Sequence, residues 1–326
     1  MTFSTENSTP LPPGLSVVVP VYNSAATLPE FAARLGPVLQ ATSLPYELIL
    51  VNDGSRDDSW QTIRQTAEIH PWVRSMCLMR NYGQHNALLC GIRHANYDTI
   101  VTLDDDLQHP PEEIPKLLAR FHEGFDVVYG PPQNEKHGLL RDIASQITKA
   151  GLRSAVGAET ARMVCAFRVF HTQLRDAFAA YHSPYVNIDV LLTWGTTNFG
   201  TLAVRHEARM KGKSNYNFTQ LFRHAMNMMT GFSVLPLQLG SIIGFACMLF
   251  GLGVLAFVLG RYFLVGSSVA GFPFLASIIA IFSGAQLLTL GIIGEYLARM
   301  HFRLMEKPSY TLKIQPSNNE KEPKQK

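Results

Sequence analysis

Between His224 and Glu295 the sequence holds one charged side chain, Arg261. The stretches on either side of it, Ala225–Gly260 and Tyr262–Gly294, contain no Asp, Glu, Lys, Arg or His. Each exceeds the roughly 20 apolar residues needed to cross a bilayer core. Two transmembrane helices are therefore expected, at about 235–264 and 273–297. The connecting VGSSVAGFP is short, rich in Gly and Ser and uncharged, as a hairpin turn outside the cytoplasm would be. The competing reading is a pair of helices buried in a soluble core, but helices so long and so free of charge are rare there. Arg209, Lys211, Lys213 and Arg223 precede the hairpin, and Arg299, Arg303 and Lys307 follow it. Positive charge on both flanks predicts that both are cytoplasmic. Glu295, at the inner end of the second helix, can reach the interface or pair with Arg299 four residues on.

That arrangement places the larger N-terminal part in the cytoplasm. The opening MTFSTENSTPLPPG lacks a basic segment followed by an apolar one, so residues 1–14 are expected to be a disordered lead-in and not a signal peptide. Four scattered cysteines, none in a CxxC pair, fit a reducing compartment. A net charge of +3 with no Lys/Arg run gives no electrostatic footprint for nucleic acid, and none is expected as a partner. The predicted organisation is a cytoplasmic domain over 15–224, a membrane segment over 225–300 and a cytoplasmic tail over 301–326.

Within the domain, apolar runs at 15–22, 46–53, 73–79, 98–104 and 126–130 predict strands. Amphipathic segments around 27–40, 57–69, 84–95 and 111–123 predict the helices between them. Strands of near-continuous Val, Ile and Leu alternating with helices imply an α/β domain whose mostly parallel sheet is covered on both faces. Ligands of such sheets bind at the carboxyl ends of the strands. The polar residues cluster there: Pro20-Val21-Tyr22-Asn23 after the first, Asn52-Asp53-Gly54-Ser55 after the second, Asp104-Asp105-Asp106-Leu107-Gln108 after the fourth. Taken alone, Asp-Gly-Ser is a turn signal. Three adjacent carboxylates repel one another, and a hard divalent cation such as Mg²⁺ or Mn²⁺ relieves that repulsion through oxygen ligands. A solvated acidic turn is the plainer alternative.

Taken in order, PVYN, VNDGS, NYGQHNALLCGIRHA and TLDDDLQHPPEEIPKL resemble the inverting family 2 glycosyltransferases with the GT-A, Rossmann-like fold. Within that family the wording resembles the polyprenyl-phosphate branch, which includes undecaprenyl-phosphate aminoarabinose and glucosyl transferases and dolichyl-phosphate mannose synthase. GxxGEY at Gly291–Tyr296 adds to it, and the likeness covers roughly residues 15–310. The resemblance implies a nucleotide-sugar donor, with UDP favoured, a polyprenyl phosphate acceptor, and a homo-oligomer at the inner membrane. It also implies that Pro20, Tyr22, Asn23 and Asp53 hold the nucleoside. Asp104 would sit by ribose and metal, and Asp106 with Gln108 would ligate the metal. Arg80 and the Asn81–His85 stretch would line the donor side, or serve mainly as structure.

Arg209-Met-Lys211-Gly212-Lys213-Ser214-Asn215-Tyr216 resembles the family's RxxGxSKY, in which Arg, Ser and Lys hold phosphate charge. Asn215 stands where Lys is usual, so Lys213 or Lys211 would substitute; a cationic membrane-surface loop explains the same residues. Ser24 replaces the Glu usual after PVYN. Glu159 aligns with an Asp implied as a base beside the acceptor, and Arg162 lies near it. The segment 138–153 has the spacing of a surface-lying amphipathic helix or of a packing helix. A processive polysaccharide synthase would carry QxxRW and more spans, neither of which occurs. A non-catalytic membrane scaffold built on a degenerate transferase domain is the alternative from another class.

Overall fold

The computed structural model describes residues 10–133, 163–207, 235–265, 272–305 and 307–313. Strands β1 (Leu15–Val21), β2 (Tyr46–Asn52), β3 (Val73–Cys77), β4 (Thr99–Thr102), β5 (Val127–Tyr129), β6 (Arg168–His171) and β7 (Phe199–Thr201) form one sheet of order β3-β2-β1-β4-β6-β5-β7. Only β6 runs against the rest, pairing antiparallel with β4 and β5. The helices are α1 (Leu28–Ala41), α2 (Ser59–Ile69), α3 (Gln84–Arg93), α4 (Ile114–Phe121), α5 (Ile188–Leu192), α6 (Leu235–Val265) and α7 (Phe272–Leu304).

The five predicted strands and four predicted helices of the domain are all present within a few residues of their expected ends. The sheet is mostly parallel because helical crossovers return the chain to the same edge of each strand. Along β1, Val17, Val19 and Val21 enter the core beneath α1, α2 and α4, while Val18 enters the core beneath α3 and α5. Both faces are thus dry, which is why the strands lack a polar alternation. Gly91 lets α3 lie close on the sheet: a Cβ there would meet Val18 Cγ1 at 2.3 Å.

The described residues fall into two compact units. Residues up to 133, 163–207 and 307–313 belong to one, α6 and α7 to the other. In the first unit, residues 311–313 lie beside Cys77–Met79 at the end of β3, with Leu312 opposite Leu78 in antiparallel pairing. In the second, Gly240 faces Ile292 and Thr289, and Gly251 faces the Phe282 ring. The partners of α6 move back along α7 as α6 advances, so the two helices are antiparallel. Among the described residues no helix is long and apolar enough to cross a membrane. Counted over every residue, however, α6 carries a single charge, Arg261, in 31 residues. α7 continues to Leu304, past the expected end at 297, through Arg299, His301 and Arg303.

Candidate active site

The sheet order reverses direction between β1 and β4: the chain moves outward from β1 to β2 and β3, then returns to β4 on the other side of β1. That switch opens a crevice at the carboxyl ends of β1 and β4, the place where open α/β sheets bind ligands. The loops after β2, β1 and β4 therefore lie side by side, bringing Asp53, the Tyr22–Ser24 turn and Asp104–Asp106 to one rim.

The first two loops are stitched together. Asn23, at φ +54°, receives its own carboxamide contact from the Arg56 N–H at 2.8 Å and donates its N–H to Ser55 Oγ at 3.0 Å. Ser24 N–H donates to Ser59 Oγ at 2.8 Å, and Ala25 N–H to Asp57 at 3.2 Å. Between them Tyr22 is 44% exposed, leaving its ring available to a planar ligand. Pro20, in contrast, is buried inside β1 opposite Val51.

Asp53 is buried, and its two oxygens accept the backbone N–H groups of Tyr82 at 2.7 Å and Gly83 at 2.8 Å. Burial pushes its carboxyl up to about 6 against the opposing pull of those two bonds. Asp53 thus organises the loop before α3. Arg80 is on that loop, its guanidinium 4.4 Å from the Tyr82 ring centroid. Gly54, at φ +64°, passes so close beneath that a Cβ would lie 2.5 Å from Arg80 C and Asn81 N.

After β4, Asp104 accepts at Oδ1 from the side-chain amide of Gln84, at the start of α3, at 2.5 Å. Asp106 accepts the N–H of Gln108 at 3.1 Å across a turn in which Leu107 has φ +59°. Asp105 is half-buried, with its Oδ2 closed off from solvent and unpartnered among the described residues. Burial, together with Asp104 and Asp106, lifts its carboxyl to about 7. The Ser24 hydroxyl donates to Tyr22 O at 3.2 Å and stays neutral where a Glu would add a fourth negative charge. His109, also buried, stands beside His206 at 5.1 Å between ring centroids, and burial pushes its imidazole down to about 4.

Arg34 of α1 ties this rim to the end of the described segment at 207. It bonds Glu112 through Nε at 3.0 Å and Nη2 at 2.9 Å, and Glu207 at 3.3 Å. Glu207 N–H in turn donates to Gln108 O at 2.9 Å. Glu159, Arg162, Arg209, Lys211, Lys213, Ser214 and Asn215, and the segment 138–153, lie outside the described residues. Sequence reasoning missed Arg34 and His206, which lie in no motif, and gave no role to His109 within TLDDDLQHPPEEIPKL. A cavity of ≈ 410 Å³ lined by Asp98, His171 and Arg175 opens at the amino-terminal end of the parallel strands, away from these residues.

A cation would find hard oxygen donors in Asp104, Asp106 and the Gln108 amide, and an orphaned carboxylate oxygen in Asp105. Among the described residues no three His, Cys, Asp or Glu side chains converge on one point. These groups are oxygen donors of the type a hard divalent cation takes, without forming a closed protein shell.

Residues 16–181 match the glycosyl transferase family 2. The undecaprenyl-phosphate 4-deoxy-4-formamido-L-arabinose transferase of Shewanella sediminis is 34% identical over 91% of this chain and 90% of its own length. The transferase of that name from Proteus mirabilis is 34% identical over 94% of this chain and 97% of its own. Among solved structures, Mycobacterium tuberculosis glucosyl-3-phosphoglycerate synthase with Mn²⁺ and UDP-glucose superposes with a TM-score of 0.50. It shares 18% identity and covers 67% of this chain and 77% of that one, a likeness of fold. The chain belongs to glycosyl transferase family 2.

Proposed function

We propose that the protein is an inverting glycosyltransferase that moves a sugar from a nucleotide-sugar, with UDP the favoured nucleotide, to a polyprenyl phosphate. Undecaprenyl phosphate is the acceptor to expect in a bacterium. The observation that carries this reading is the joining of Asp53, Tyr22 and Asp104–Asp106 at one topological switch point. The names of relatives matching nearly the whole chain support the lipid phosphate acceptor.

The nucleoside lies between the Tyr22 ring and the loop that Asp53 holds through Tyr82 and Gly83. Asp104 and Asp106, with Gln108, would hold a divalent cation, which would supply charge neutralisation for the departing nucleoside diphosphate. Gln84 fixes Asp104, and Ser24 limits repulsion at Asp105. The acceptor is a phosphate monoester with a second pKa near 6, so it is mostly dianionic at pH 7 and requires little help from a base. Glu159 is the proposed group beside it, and Arg209, Lys213 and Ser214 hold phosphate charge. One in-line displacement inverts the anomeric carbon.

α6 and α7 are proposed to cross the membrane as a hairpin, keeping the catalytic domain and both termini on the cytoplasmic side. Support comes from the single charge in α6 and from apolar side chains left bare on both helices, such as Leu264 of α6 at 87% and Leu287 of α7 at 69% exposed. A polyprenyl phosphate presents its head at that interface. The alternative, a scaffold with a degenerate transferase domain, predicts no turnover. A coupled assay of nucleoside diphosphate release decides between them. Release that requires both polyprenyl phosphate and Mg²⁺ or Mn²⁺, and is lost in Asp106→Ala, supports the enzyme. No release from any donor supports the scaffold.

A further inference from the structure

The segment Ser309–Lys313 follows α7 and is polar enough to pass for tail, yet it is built into the first unit. Ser309 is buried, donating to Ser183 O at 2.8 Å and accepting the Ser183 N–H at 3.3 Å. Tyr310 and Leu312 pack against the core beneath α3, and the Arg93 guanidinium lies 5.9 Å from the Tyr310 ring centroid. Met79 N–H donates to Thr311 O at 2.9 Å, and Lys313 N–H to Cys77 O at 2.8 Å. The segment is thus a short extra strand on the free edge of β3, and its last contact falls one residue before Arg80.

We infer that this C-terminal strap is a positioning element for the donor nucleotide. It fixes Cys77–Met79, the stem of the loop whose Tyr82 and Gly83 N–H groups are held by Asp53 and whose Arg80 lies over Tyr82. Held at one end by Asp53 and at the other by Thr311 and Lys313, the loop is pre-organised before donor arrives. Pre-organisation lowers the entropic cost of binding, so the strap acts on donor affinity and leaves the chemical step alone. The inference rests on the proposed nucleotide site for its functional half only.

Two variants test it: a chain truncated after Pro308, and the full chain with Lys313→Pro, which removes one N–H donor from an exposed position. Hydrogen exchange is followed at Tyr82 and Gly83, whose amides bond Asp53 and not the strap. Donor KM, acceptor KM and kcat are measured in parallel. The truncation is expected to speed exchange at both amides about tenfold. It should raise donor KM about five- to tenfold with kcat and acceptor KM within about twofold, and Lys313→Pro should show a smaller change of the same pattern. Unchanged exchange at Tyr82 and Gly83 in both variants overturns the positioning role, whatever the enzyme's activity. Faster exchange with donor KM unchanged, or a fall confined to kcat, overturns the link to donor binding. If the intact protein binds no nucleotide, the functional reading fails while the exchange result still decides whether the strap holds the loop.

Discussion

Adding one methyl group at Gly54 measures how tightly the donor-side loops are packed on one another. Its φ of +64° places the residue in the left-handed region, and a Cβ would lie 2.5 Å from Arg80 C and Asn81 N. Both are backbone atoms, so no rotamer change relieves the overlap. For Ala the left-handed conformation costs about 1–2 kcal/mol. Forcing an extra carbon into a packed site adds about 1–3 kcal/mol. Gly54→Ala is therefore expected to lose about 2–5 kcal/mol, equivalent to roughly 10 °C in melting temperature at about 2–4 °C per kcal/mol for a domain of this size. Displacing Arg80 and Asn81 also disturbs Tyr82 and Gly83, so donor KM should rise in the same variant. Gly124→Ala is the control. Its φ is +102° but nothing lies within 4 Å of the added Cβ, so only the backbone cost of about 1–2 kcal/mol applies. Thermal unfolding in detergent and donor titration read both variants. Equal melting temperatures for the two, with donor KM unchanged in Gly54→Ala, refute the reasoning.

Asp53→Asn removes one of two acceptors facing buried N–H groups, so about 1–3 kcal/mol should be lost near neutral pH, by denaturant titration. The same comparison across pH has a defined sign. The folded carboxyl, at about 6, lies above its ordinary 3.8, so the native state holds a proton that the unfolded chain has released. The contribution of Asp53 to stability therefore falls as pH rises from about 4 to about 6 and is level beyond. The wild-type profile should show that decline relative to Asp53→Asn, and a parallel pair of profiles contradicts it. Arg168 and Asp189 form a buried ion pair with Tyr129 and Thr102 around it. Asp189→Ala should cost about 3–5 kcal/mol by leaving the guanidinium uncompensated, and Arg168→Met with Asp189→Leu should recover most of it. Gln84→Ala removes one hydrogen bond to Asp104 and is expected to lower kcat about three- to tenfold and weaken Mn²⁺ binding in calorimetry, whereas a purely structural Gln84 leaves metal binding unchanged.

The parallel half of the sheet was legible because β1, β2 and β4 are buried on both faces and so are written in mostly apolar residues. β6 and β7 were not. They are four and three residues long, and β6 opens on Arg168, whose charge is tolerated only because Asp189, distant in sequence, neutralises it. The acidic cluster was legible as a group, but its internal division was not. The reading fixed on Asp104 and Asp106, and only the fold shows Asp105 half-buried against Ser24. Asp53 illustrates a similar gap: a strand-end Asp fits a nucleoside contact, while its bonds to Tyr82 and Gly83 depend on β3 lying beside β2. The strap carried a faint signal in the alternation of Tyr310 and Leu312, set in a polar tail that invited no strand.

Product analysis tests the central claim most directly. The purified protein in vesicles is given undecaprenyl phosphate, Mn²⁺ and a panel of nucleotide sugars, and the extracted lipid is weighed by mass spectrometry. The account predicts that one donor increases the mass of the lipid phosphate by one sugar residue, with inverted anomeric configuration, and that chelation or Asp106→Ala abolishes the product. An unmodified lipid with every donor, from protein that also fails to bind nucleotide, contradicts it.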